Sequence, residues 1–209
     1  MVIELIGIPG SGKTTFVNNI LTENNHYINP LELELYSDSR IKQNINKIRI
    51  IITLACIDPT IIFKLIKLFN KIKFKSIKCK LKMFLYLFSI IGVYEQYKKN
   101  KPNYTLIFDE GISQVIWGIL YNSSNSEKQV YELYDSLKSY IADEIWYIQT
   151  PKEVVKERLL NRTKPGGAEL QKDIRHSDNM LEISVDLLEE ILNVIKIKNY
   201  SQIKNIKNN

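Results

Sequence analysis

The sequence predicts an α/β fold in which each strand feeds a helix, and three stretches carry that prediction. The apolar run Val2 to Ile6 passes straight into Gly7-Ile8-Pro9-Gly10-Ser11-Gly12-Lys13-Thr14, behind which Phe16, Val17, Ile20 and Leu21 share one helical stripe. A second run, Tyr104 to Phe108, ends on Asp109-Glu110-Gly111. A third, Glu144 to Gln149, runs through Thr150-Pro151 into a helix over Lys152 to Asn161. Strands that alternate with helices build a parallel sheet, with ligands at the carboxyl ends of its strands.

The first loop fits G-x-x-x-x-G-K-[ST] in the strand-to-helix context that gives this pattern its meaning. Gly7, Gly10 and Gly12 leave the backbone free to curl its N–H groups around a phosphate chain, and the helix N-terminus adds partial positive charge. Lys13 reaches β- and γ-phosphate oxygens, and the Thr14 hydroxyl takes a place on Mg²⁺. Pro9, Ser11 and Thr15 complete the candidate nucleotide-binding set, with ATP and Mg²⁺ as the expected cofactors.

The chain has 209 residues and is 44% hydrophobic, enough for one well-buried domain. Cys56 and Cys79 form no CxxC pair, and His26 and His176 lie far from both, so neither a disulfide framework nor a zinc site is indicated. No secretory signal is readable, because Met1 leads into the loop strand, and the uncharged apolar run Met83 to Tyr94 is too short to span a bilayer. A reducing cytoplasm is the expected setting.

Net charge hides an asymmetry. Residues 40 to 101 hold 15 of the 29 Lys and Arg but only 2 of the 23 Asp and Glu, a local balance of +13 against −7 for the remainder. A basic segment in an otherwise acidic chain implies an anionic partner: a phosphorylated substrate, an acidic lipid surface or nucleic acid.

In chain order, Leu31 to Tyr36 alternates with period two and reads as a second, half-buried strand. Ser37-Asp38-Ser39-Arg40 then caps a helix over Ile41 to about Cys56. Asp38 reads either as that cap or as a carboxylate taking the acceptor's proton, and Arg40 could grip an anionic acceptor. Asp58-Pro59 opens an amphipathic helix whose Lys64, Lys67, Lys71, Lys75, Lys78 and Lys82 recur at three- and four-residue steps as one cationic stripe. Its readings are a solvated face, an anionic membrane surface, or closure over a phosphorylated acceptor. The hydrophobic helix Met83 to about Lys99 is core, with Gln96 near its end as a candidate contact to a base or sugar.

Asp109 and Glu110 stand where a carboxylate pair can hold Mg²⁺ or accept an acceptor proton, and Gln114 lies one turn further on. Helices follow at about Ser113 to Tyr121 and Ser126 to Tyr140. Arg158 and Arg162 share a helix face just before Thr163-Lys164-Pro165-Gly166-Gly167. That placement favours a mobile lid over 162 to 175 whose guanidinium groups settle on the transferring phosphoryl, with Lys164 and Arg175 as lesser candidates. Asp178 caps a last amphipathic helix, and a short fifth strand around Ser201 to Lys204 closes the chain.

These stretches resemble the P-loop nucleoside and nucleotide kinases, the thymidylate-kinase-like branch in particular. The carriers are Gly7 to Thr14, the strand ending Ile107-Phe108-Asp109-Glu110-Gly111, and Ile145 to Arg162, which is similar to that family's fourth strand, helix and arginine-bearing lid. The resemblance implies the three-layer P-loop NTPase fold: a five-stranded parallel sheet in order 2-3-1-4-5, helices on both faces, ATP as donor and Mg²⁺ as cofactor. The chain departs from the family at Asp-Glu-Gly, where thymidylate kinases carry Asp-Arg and deoxynucleoside kinases Glu-Arg-Ser. It departs again over residues 40 to 101, which are long and basic, so the acceptor is not inherited with the fold.

The expected function is an ATP- and Mg-dependent phosphotransfer to a small nucleoside, nucleotide or sugar-type acceptor, within a single domain whose residues 40 to 101 meet the acceptor or a partner. The alternative is a nucleotide-driven ATPase or switch acting on a partner at a membrane surface. Neither a guanine-reading NKxD nor an LSGGQ-like signature supports the alternative. A peripheral contact with an anionic membrane and a homodimer stay open, and nucleic acid is disfavoured.

Overall fold

The computed structural model describes residues 1–35, 40–101, 103–124, 127–162, 168–177, 179–198 and 200–208. Five strands, β1 (Val2–Ile6), β2 (Tyr27–Ile28), β3 (Thr105–Phe108), β4 (Glu144–Gln149) and β5 (Gln202–Lys207), form one sheet in the order β2-β3-β1-β4-β5. Every pairing is parallel, with Val2 opposite Leu106 and Ile3 opposite Glu144. β1 and β3 are buried throughout, which is why both read as continuous apolar runs.

α1 (Lys13–Glu23) covers one sheet face, where Val17 packs with Ile3, Leu5, Ile107 and Ile148. The larger core lies on the other face. It draws on α5 (Ile77–Asn100), α6 (Ile112–Tyr121) and α10 (Asn179–Lys198), with α2 (Pro30–Glu34), α3 (Arg40–Ile57) and α4 (Pro59–Lys71) stacked against it. α7 (Glu127–Leu137) runs into a short 3-10 turn, while α8 (Lys152–Asn161) and α9 (Ala168–His176) flank the first loop's side of the molecule. No described helix is long and apolar enough to cross a membrane.

Two expectations fail for identifiable reasons. Over its described residues, 31–35, the alternating segment is not a strand: β2 lies earlier, at Tyr27–Ile28, and α2 occupies 30–34, while Tyr36 lies outside the described residues. Asn29 caps that helix by accepting from the Leu31 N–H at 3.2 Å, and Pro30 sits where its missing N–H costs nothing. Leu31 and Leu35 are buried while Leu33 is exposed, so the apolar spacing that matters is i, i+4, and the Asn-Pro start outranks the alternation.

The lysine stripe is not one helix either. α4 is capped by Asp58, as its Asp-Pro start predicts, but it ends at Lys71. The chain then turns through Ile72 to Lys75, and Ser76 caps α5 by accepting from the Cys79 N–H at 3.1 Å. The turn is held from outside. Phe74 stacks on Phe69, Lys75 N–H donates to Asn122 O, and Ser124 N–H donates to Lys73 O. A continuous helix would forfeit that burial and those bonds. Lys64, Lys67 and Lys71 therefore sit on α4, Lys75 lies over the Tyr121 ring, and Lys78 and Lys82 belong to α5.

Candidate active site

The loop after β1 bends because Gly10 and Gly12 both adopt φ 90°, a conformation L side chains rarely reach, and the Ser11 N–H closes it on Ile8 O at 3.1 Å. The Lys13 ammonium is buried and folds back on the loop, donating to Gly7 O at 2.5 Å and Ile8 O at 3.4 Å. Burial pulls its pKa down to about 8, against the opposing pull of Glu110 and Asp109, and Arg162 adds to the depression. Neighbouring elements hold the loop from behind. Thr150 Oγ1 and Asn208 Nδ2 both donate to Ser11 O, at 2.9 and 2.7 Å, Arg158 Nη1 reaches Gly10 O at 3.5 Å, and Gly7 N–H donates to Gln114 Oε1 at 3.2 Å.

Asp109 ends β3 beside this loop, since β3 and β1 are adjacent and parallel. It is buried and accepts from Thr14 Oγ1 at 3.1 Å and from Asn29 Nδ2 at 3.3 Å. Glu110 is half-buried and accepts from the Tyr86 hydroxyl of α5. The next residue is glycine because a Cβ at Gly111 would collide with the Glu4 side chain. Glu4, the carboxylate in the apolar β1, caps α6 instead: it accepts from the Gln114 N–H at 2.9 Å and from Ser113 Oγ at 3.2 Å. Burial pushes its pKa up to about 7, partly offset by those bonds.

Thr14, Asp109, Glu110, Gln114, Pro9 and Arg162 open onto one cavity of about 790 Å³. Met83, Val115, Trp117, Tyr121 and Leu170 give it an apolar wall, and Lys47, Lys78 and Lys82 add cationic groups. Trp117 and Tyr121 stack at 5.3 Å between centroids, and Trp117 is pinned through Nε1 to Ser184 O at 2.9 Å.

Against the residues singled out in the sequence, the structure gathers the loop, Asp109, Glu110, Arg158, Arg162 and Gln114 at one sheet edge. Gln96, the candidate contact to a base or sugar, lies elsewhere, in a separate cavity of about 300 Å³ with Glu34, Asn46 and Arg49. Asp38 and Lys164 lie outside the described residues; Arg40 opens α3, and its side chain lies outside them too. The segment expected as a lid over 162–175 is helical from Ala168, with Leu170 and Ile174 buried and Gln171 Nε2 donating to Arg162 O at 2.8 Å. Arg175 turns back to Leu160 O at 3.5 Å, away from the cavity.

Sequence reasoning missed Glu4, Asn29, Tyr86 and Lys47. A lone carboxylate inside an apolar strand could have drawn attention to Glu4, since such a group is seldom buried without a partner. Asn29 carried the Asn-Pro helix-start signal, masked by the alternation that follows it, whereas Tyr86 and Lys47 depend on packing between distant helices and carried no local signal.

Oxygen donors at Thr14 and Asp109 suit a hard cation that takes its remaining ligands from phosphate and water. Among the described residues no cluster of three or more His, Cys, Asp or Glu side chains is placed to hold a metal ion.

Sheet order, phosphate loop and the carboxylate at the end of β3 together define a three-layer P-loop NTPase fold. No protein-family profile matches the sequence, and no curated protein is significantly similar to it. Solved structures do match. A deoxyadenosine kinase from M. mycoides, with products dCMP and a flexible dCDP bound, aligns over 99% of this chain and 90% of its own, with a TM-score of 0.50 and 13% identity. The same kinase with bound dATP aligns over 99% and 91%, with a TM-score of 0.50 and 14% identity. At that identity the likeness is one of fold.

Proposed function

We propose that the protein is an ATP- and Mg²⁺-dependent phosphotransferase that moves the γ-phosphoryl group to a small acceptor. The observation that carries this reading is the Thr14–Asp109 contact at 3.1 Å, which joins the phosphate loop to the end of β3 on the wall of a cavity large enough for an acceptor. The fold shared with a nucleoside kinase supports it.

In this mechanism the loop N–H groups and Lys13 hold the triphosphate, and Arg158 and Arg162 neutralise charge on the transferring group. Thr14 and Asp109 would hold Mg²⁺, which supplies charge neutralisation at the phosphate oxygens. Glu110, oriented by Tyr86, accepts the proton of an acceptor hydroxyl as its oxygen bonds to the γ-phosphorus and the bond to the β-phosphate oxygen breaks. The test is ADP release from ATP and Mg²⁺ against nucleosides, nucleotides and sugars. Acceptor-dependent release supports the reading; acceptor-independent hydrolysis moves it to the ATPase or switch.

A second observation favours a contact with an anionic bilayer. Ile41, Ile45, Ile48 and Ile52 of α3 are all exposed and fall on one stripe opposite the buried Ile50 and Leu54. Lys42 and Arg49 flank the stripe, and α3 contains no Asp or Glu. A second copy laid on the same face would bring like charges together, whereas acidic headgroups complement them.

A further inference from the structure

Resting on the reading of the first loop as the cradle of the donor nucleotide, we infer that Asn208 is a positioning residue of that cradle. With Thr150 it holds the Ser11 carbonyl outward and so aims the Gly12 N–H at the phosphates. The two donors come from neighbouring strand ends. β4 and β5 pair in parallel with Gln149 opposite Lys207, and the Asn208 N–H continues the ladder by donating to Gln149 O at 2.8 Å. Thr150 and Asn208, each one step beyond its strand, therefore stand side by side. Their side chains converge on a single oxygen, Ser11 O, at 2.9 Å from Thr150 Oγ1 and 2.7 Å from Asn208 Nδ2.

That convergence has a geometric consequence. Every described peptide is trans, so the Ser11 carbonyl and the Gly12 N–H leave one plane in opposite directions. Anchoring the oxygen on the strand side turns the N–H to the other side, into the nest that Gly10 and Gly12 shape at φ 90°. The neighbouring bonds fix other planes: Ser11 N–H to Ile8 O sets the peptide before, and Phe16 N–H to Gly12 O the peptide after. Ser11 offers no hold of its own. Its side chain is buried, and its hydroxyl has no hydrogen-bond partner among the described residues. The Thr150 hydroxyl serves the loop and not α8, which begins without a side-chain cap. The amide fits sterically as well. A Cβ at Gly12 would lie 2.5 Å from Asn208 Nδ2, so glycine there both allows the backbone angle and leaves room for the donor. Asn208 stands 197 residues from Ser11, and no local pattern announces it.

The test compares Asn208→Leu, which keeps the approximate side-chain shape and removes the donor, with Thr150→Val, the double variant and Lys204→Ala. The last breaks a different contact of β5, the 2.7 Å bond to Glu144, and controls for how firmly the strand is attached. Affinity for a non-hydrolysable ATP analogue with Mg²⁺ is read by titration calorimetry, and stability by urea unfolding. Asn208→Leu and Thr150→Val should each weaken binding about fivefold, the scale of one hydrogen bond. The double variant should lose more than the product of the two, because no anchor remains. Lys204→Ala should bind as wild type does. In ATP turnover, read as ADP release, the KM for ATP should rise about as much as affinity falls while kcat stays within about twofold, since the cradle grips the phosphates equally before and during transfer. Unchanged affinity in Asn208→Leu, whether or not the variant unfolds earlier, overturns the inference, and so does an equal loss in Lys204→Ala. A wild-type protein that does not bind the analogue removes the nucleotide reading and the inference with it. Binding weakened as expected without any ADP release leaves the inference standing and removes only the phosphotransferase.

Discussion

The edge of the sheet and the basic helices beside it present opposite problems to anyone reading the chain. At the sheet edge, function depends on backbone shape: φ 90° at Gly10 and Gly12, and a carboxylate placed directly after β3. Few residue types satisfy those demands, so local sequence records them. Over 40–101 function depends on which faces of α3, α4 and α5 meet, and lysine tolerates many positions. Six lysines that look like one stripe therefore divide between a surface helix, a turn and a cavity wall. A motif reports what the backbone must do, whereas a charge pattern reports only what it permits.

The largest expected effect tests the sheet edge. Lys13→Ala removes the buried ammonium to which the phosphotransferase reading assigns the phosphates, and turnover should fall about a thousandfold, the scale for losing a preorganised charge stabiliser. Circular dichroism should be unchanged. Activity within a few fold of wild type would mean that the loop is not the site.

Next in size is Glu110→Gln, which keeps the shape and removes the proposed base. A loss of about a hundredfold in kcat at constant KM for ATP is expected, with Tyr86→Phe losing less because it only orients the carboxylate. Unchanged turnover in Glu110→Gln would hand the proton to another group.

How far the sequence could be read follows from the same contrast. β4 and α8 lie at the residues expected from their patterns, and the Asp58 cap is where Asp-Pro requires it. At Leu31 to Leu35 two valid local rules competed, alternation and the Asn-Pro helix start, and only tertiary burial of Leu31 and Leu35 decided between them. Asn29, which fixes Asp109 across the sheet edge, was hidden by that same ambiguity. Tyr86 and Lys47 reach the site from helices far away in sequence, so no window of neighbouring residues contains the information.

A smaller effect separates a buried charge that supports the edge from those that act there. Glu4 has a pKa of about 7 in the fold against 4.5 ordinarily, so its ionised form is disfavoured by folding. Below the ordinary value the carboxyl is protonated in both states and costs nothing. As pH rises through the window from 4.5 to about 7 the unfolded chain has released its proton while the folded one keeps it, and stability declines; above about 7 the deficit is complete. Glu4→Gln removes the titration and can still accept from the Gln114 N–H. Relative to wild type the variant should match at low pH and gain with rising pH, by at most about 3 kcal/mol, in urea unfolding across that window. Parallel curves for the two proteins would show that Glu4 does not titrate there.

The smallest effect on stability belongs to the basic helices. Ile45 and Ile48 are exposed on the outer face of α3, so Ile45→Ser with Ile48→Ser should alter unfolding free energy by no more than about 0.5 kcal/mol each. Nothing in the folded monomer needs them. If α3 meets a bilayer, the same double variant should lose recovery with phosphatidylserine vesicles, since its apolar stripe supplies the insertion and Lys42 and Arg49 the attraction to headgroups. Wild type should pellet with anionic vesicles and not with phosphatidylcholine, and raised salt should weaken the binding. Equal recovery from both lipids would remove the bilayer from the account, and a concentration-dependent dimer abolished by the double variant would assign the stripe to a second copy. Because the substitutions leave the core and the sheet edge untouched, catalytic constants measured without lipid should stay level, which separates the two regions in one protein.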